Sequence, residues 1–164
     1  MNRAVERQNL SLFTPVGHTR DLAVTTLRLT VEAIVDNNTR LAASILHQVQ
    51  PESPDNTVAT VASCIDVSLG LLDDWLSGGD PQAPKDLGRR VKLPIGHWVG
   101  ERAAIDILAL ANKRRAFSSL NTLLIRQGGE RVLYGSALAL AAAIQTWSAD
   151  LNTPVADLVR SNVR

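Results

Sequence analysis

From Val132 to Ala149 the chain runs 18 residues without a charged side chain. A helix over Glu130 to about Asp150 is therefore apolar on every side. Such a helix is either the core of a bundle or a membrane span. Tyr134, Ser136, Gln145, Thr146 and Ser148 interrupt the run, and much of its apolar content is weakly hydrophobic Ala. A core helix is the better reading, and no membrane partner is expected. Gly135, Ala139, Ala142 and Ala143 are small enough to let a neighbouring helix approach closely. What surrounds such a helix must supply apolar faces of its own.

The requirement is met by helical spacing. Val24, Leu27, Val31, Ile34, Leu41, Ile45 and Val49 recur at steps of three and four, apart from a gap at Asn38. Asp36-Asn37-Asn38-Thr39 fills that gap, and we expect one kinked element there rather than two clean helices. Gln50-Pro51-Glu52-Ser53-Pro54 ends it, with Ser53 and Pro54 as N-cap and first-turn residue of the next helix. That second helix should run to about Ser77, with Val58, Val61, Ile65, Leu69, Leu72 and Leu76 inward. Its opposite face, with Ser63, Asp66, Gly70 and Asp73, reads as a solvated acidic stripe or one paired with basic residues elsewhere. A third helix to about Arg115 presents Ala104, Ile105, Leu108 and Ala111. A fourth over Ser119–Gln127 carries Leu120, Leu123, Leu124 and Ile125 as core, and Thr153-Pro154 starts a short last helix. No convincing strand or internal repeat is present. The expected fold is all-α: a single-domain helical bundle of about five to six helices over residues 1–164. An N-terminal arm over 1–20 precedes it, and a long irregular loop over 78–96 lies in the middle.

Aromatics make up only 4% of the sequence, so aliphatics must fill this core. The single cysteine, Cys64, forbids an intrachain disulfide, and the charged first residues lack the apolar segment of a secretory leader. A cytoplasmic location is expected. Net charge is +1, but residues 1–80 hold 5 basic and 10 acidic side chains, and residues 81–164 hold 12 and 6. The excess lies between Lys85 and Arg131, with 10 basic against 4 acidic residues. Such asymmetry marks either a polyanion-binding face or two halves that neutralise each other.

Chemistry is hard to find. The three histidines His18, His47 and His97 lack metal-site spacing, and neither Glu-x-x-His nor His-Glu-x-x-His occurs. Asp66, Asp73 and Asp74 share one helix, which can present at most two of them on one face to a cation. Cys64 sits mid-helix among apolar residues, where a thiol is inert. No nucleophile elbow, Walker loop or dinucleotide-binding turn is present. Trp98-Val99-Gly100 matches the Trp-x-Gly turn of the small secreted helical-hairpin family. The match spans three residues, and a Pro/Gly-rich loop stands here where that family has a long helix, so no membership follows.

The expectation is accordingly a non-enzymatic helical interaction or assembly module without a cofactor or bound metal. It would act through helix faces and the 78–98 loop, with Arg89, Arg90, Lys92, His97 and Trp98 as partner-binding residues and a protein partner or self-association as the outcome. An exposed Trp beside Arg is a usual composition for an interface anchor. The alternative is a nucleic-acid-associated protein in which Arg102, Lys113, Arg114 and Arg115 contact phosphates. A weaker alternative is a small-molecule-binding or catalytic bundle centred on His97, Trp98, Glu101 and Arg102.

Overall fold

The structure is a computed structural model that describes residues 17–48, 54–94 and 99–164. Among them are eight α-helices, one 3-10 turn and no strand. The all-α expectation holds, with more helices than expected.

The first apolar series is two helices, α1 (Gly17–Val35) and α2 (Thr39–Gln48), not one kinked element. The break follows from the chemistry of asparagine. Asn37 takes a left-handed φ of 58°, which Asn tolerates better than most side chains. The amides of Asn37 and Asn38 close onto the carbonyls of Ile34 and Ala33, ending α1. The Asn38 side chain then accepts from the amide of Leu41 at 3.1 Å and caps α2. Because α1 begins at Gly17, residues 17–20 of the expected arm are helical. Residues 1–16 of that arm lie outside the described residues, as does the expected Ser53 cap.

Helix α3 (Pro54–Leu76) buries Ile65, Leu69, Leu72 and Leu76 as expected. It is followed by a turn, the one-turn helix α4 (Leu87–Arg90) and an extended stretch over 91–94. Then come α5 (Glu101–Ala111), a 3-10 turn (Phe117–Ser119) and α6 (Leu120–Gln127). The long α7 (Gly129–Leu151) and α8 (Val155–Asn162) complete the order.

Helix α7 is the axis of the bundle and touches each of the other seven helices. By length and composition it could cross a membrane, but 72% of its apolar window is buried inside the protein. Gly135 acts as the sequence suggested. A Cβ on Gly135 would lie 2.7 Å from the Gly100 carbonyl oxygen and 2.8 Å from the Ala103 Cβ. Gly100 needs glycine twice over, for its φ of 78° and for the backbone of Gly135 against it. This contact sets the rotation of α5. Ala103, Ala104, Ile107 and Ala111 are buried, while Ile105, expected inside, is 52% exposed. Toward the other end of α7, Trp147 meets Trp75 of α3 edge to face, with ring centroids 5.6 Å apart. That geometry is worth about 0.5–1.5 kcal/mol beyond burial.

Arginines of α1 hold the last helix. Arg28 donates from Nε to the Val163 carbonyl at 2.7 Å and from Nη2 to the Arg160 carbonyl at 3.1 Å. Arg20 donates to the main-chain oxygen of Arg164 at 2.6 Å. These guanidinium groups satisfy carbonyls at the end of α8 that have no intrahelical partner.

Candidate functional site

The expected loop is anchored to the bundle at several points, while residues such as Gly78, Lys85, Arg89 and Lys92 stay exposed. Ala83 and Leu87 are buried. Gly88 passes so close to α5 that an added Cβ would lie 2.0 Å from the Asn112 side-chain oxygen, and Asn112 donates to the Gly88 carbonyl. Arg90 forms a two-pronged pair with Asp150 at the end of α7, with Nη1 donating at 2.5 Å, and its Nη2 also reaches Asp86 at 2.9 Å. The two carboxylates raise the Arg90 pKa further above its ordinary value. The Arg90 hydrogen bond in turn pulls the Asp150 carboxyl below the usual range. Arg90 thus faces the protein's own α7. Arg89 and Lys92 are exposed, and His97 and Trp98 lie outside the described residues.

The basic cluster after α5 also divides. Arg114 adopts a left-handed φ of 57° and pairs with Asp74 at 3.0 Å. Among the described residues this is the one ion pair joining the acidic half to the basic half. Lys113 and Arg115 are exposed and unpaired there, as are Arg102 of α5 and Arg126 of α6.

One of them, Arg126, lines a groove between α5 and α6. Helices α5 and α6 run antiparallel, since Asp106 accepts from Gln127 at 3.0 Å while Ala109 and Leu110 share this shallow groove with Thr122 and Leu123. The groove encloses about 260 Å³. Neither Ile105 of α5 nor Ile125 of α6 lines it; both point outward into solvent. Ile125, expected in the core, is 85% exposed. Only Leu123 of α6 is fully buried, because an eight-residue helix lying on the side of α7 needs just one narrow apolar seam. Glu101 and Asp106 are the acidic residues of this face of α5.

The acidic side of α3 is not a solvated stripe. Ser63, Asp66 and Asp73 are buried. Asp73 accepts from the amides of Ala116 and Phe117 at 2.9 and 3.0 Å, so a carboxylate on α3 caps the 3-10 turn that leads into α6. Sequence reasoning missed this role because the capped amides lie 43 and 44 residues away. Asp66, 9% exposed, has no hydrogen bond or ion pair among the described residues. Burial pushes its carboxyl up to about 6. It lines a cavity of about 290 Å³ with Arg20, Gly70, Leu71, Asp74 and Phe117.

Other chemistry remains sparse. No group of three metal-binding side chains exists among the described residues. Burial pushes the Cys64 thiol up to about 12, which keeps it protonated and unreactive. Tyr134 donates to the Ala43 carbonyl at 3.3 Å and borders an apolar cleft of about 210 Å³ between α2 and α7. Burial and the charge of Glu130 raise its hydroxyl pKa. Glu101 and Arg102 are exposed on the first turn of α5. No protein-family model, curated protein or solved structure matches this chain.

Proposed function

We propose that this protein is a non-enzymatic helical interaction module. Its main binding surface is the outer face of the α5–α6 hairpin, with Arg89 and Lys92 of the 78–98 loop as further contacts. The observation that carries this reading is Ile125, 85% exposed on a well-formed helix. Ile105 is a second exposed apolar residue, on α5, and Arg102, Lys113, Arg115 and Arg126 are exposed and unpaired in the same stretch of chain. Exposed apolar anchors together with cations suit a helix of a partner protein that is apolar on one side and acidic at its edges. The four cations outnumber Glu101 and Asp106 on this segment, which favours an acidic partner over a second copy.

The test compares the natively purified wild type with the Ile105→Ser/Ile125→Ser variant. The variant should fold with an unchanged helical circular-dichroism spectrum and lose a co-purifying acidic protein. Intact retention of that protein would refute the surface. Nucleic acid remains the second reading, favoured by Arg102, Lys113 and Arg115. In that case the isoleucine variant would bind nonspecific DNA as well as wild type, and exchanging the three cations for Gln would abolish a strongly salt-dependent shift.

A further inference from the structure

The cavity beside Asp66 shares no lining residue with the α5–α6 groove and does not depend on the surface just described. Asp66, Gly70 and Asp74 follow one another at successive four-residue steps on α3, so they line up along one side of the helix. At 1.5 Å per residue the two carboxylates stand about 12 Å apart along the axis. Gly70 lies between them, and nothing comes within 4 Å of where its Cβ would be. The result is a trough floored by a bare helix backbone, walled by Leu71 and Val67, with the half-exposed Phe117 ring at its side.

The two ends differ. Asp74 is paired with Arg114. Asp66 is unpaired, although it is the more deeply buried of the two. Arg20, the basic residue lining the cavity, spends its Nη2 on the main-chain oxygen of Arg164 and pairs with neither carboxylate. A buried ionised carboxylate without a partner is costly, and it faces open volume that a cation could fill. The spacing excludes a single metal ion, whose oxygen ligands sit at about 2.3–2.6 Å for calcium. An anion would meet the charge of Asp66. The volume of about 290 Å³ is at the small end for ligand sites, and most of its wall is hydrocarbon.

We propose that this trough binds a small organic ammonium ion with a hydrocarbon body, its charged nitrogen on Asp66 and its body over Gly70 against Leu71 and Phe117. The aromatic ring offers the body or the cation a polarisable face. Gly70 is the specificity element, because any side chain there would occupy the ligand's path.

The full-length protein is titrated calorimetrically at pH 7.5 with hexan-1-amine and with 2-phenylethanamine. Hexan-1-ol serves as the uncharged control and N-acetyl-lysine methylamide as the same ammonium on a peptide unit. Saturable binding of at least one free amine is expected, with none for the alcohol. Asp66→Asn should weaken it about 10- to 100-fold, the range of a charge-assisted hydrogen bond. Gly70→Leu should abolish it while leaving the melting curve cooperative, since the added side chain meets open space. No saturation by either amine at about 10 mM, well above a millimolar Kd, would overturn the proposal. So would equal binding by Asp66→Asn, or tighter binding of the lysine amide than of both free amines.

Discussion

Asp66→Asn should stabilise the protein at neutral pH, an unusual outcome for a change at a buried position. The carboxyl is raised from 3.8 to about 6 by burial alone. The unfolded chain thus holds the ionised form more comfortably than the folded one. Between those two values the native state binds the extra proton, so stability falls as pH rises through the window and stays low above about 6. At 1.36 kcal/mol per unit the ionised carboxylate costs at most about 3 kcal/mol at pH 7.5, and less to the extent that water reaches its oxygens at the cavity mouth. At pH 4.5 the native group is protonated and the unfolded one only partly ionised, so the cost shrinks to about 1 kcal/mol. Arg20 and Asp74, the other charged residues lining the cavity, are present in both proteins and cancel in the comparison. Urea unfolding of wild type and Asp66→Asn at the two pH values measures the difference directly. The variant should gain up to about 3 kcal/mol at pH 7.5 and about 1 at pH 4.5. A loss of stability at pH 7.5, or a gain that does not shrink on acidification, would refute the reasoning by showing that the carboxylate has a partner. Residues that weaken a fold are retained where they serve a site, so a positive result would also bear on the amine-binding proposal.

Asp73→Ala removes two amide bonds to a carboxylate and should cost about 2–4 kcal/mol, read from the urea midpoint. An unchanged midpoint would mean that the 3-10 turn caps itself. Ala142 is fully buried on α7, so Ala142→Phe should overpack the core at about 1–3 kcal/mol. Retention of the wild-type melting point would place that side of the helix at the surface. Gly70→Ala fits without a clash and should stabilise α3 by about 0.5–1 kcal/mol, again by urea unfolding.

Periodicity made most of the bundle readable. The series through Ile65, Leu69, Leu72 and Leu76 marks the buried side of α3, and Gly135 of α7 marks where α5 comes closest. Failures arose where tertiary contact decides. Nothing local shows that Gly100 and Gly135 meet, and their meeting turns α5 so that Ile107 is buried and Ile105 is not. The same limit hides the capping of Phe117 by Asp73. Asn37-Asn38 marked a perturbation of the helix, but whether Asn ends a helix or bends it depends on a single left-handed residue. For the candidate sites, the basic residues were legible as a cluster. Which of them are already engaged was not, because Arg90 and Arg114 meet Asp150 and Asp74 across 60 and 40 positions of sequence. The trough over Gly70 had only a faint signal, a glycine between two aspartates inside an otherwise strong helix.

The grip of Arg20 and Arg28 on the end of α8 has a kinetic consequence. Those contacts join residues separated by 132 to 144 positions, so forming them early would close nearly the whole described chain into one loop. Contacts between sequence neighbours, such as those of α5, α6 and α7, are cheaper to make first. The short last helix can pack early on its neighbour α7, but its clamp to α1 should close as a late step. The clamp should also be the first part to come away, and native-state hydrogen exchange would show the amides of α8 opening at a free energy below that of α7.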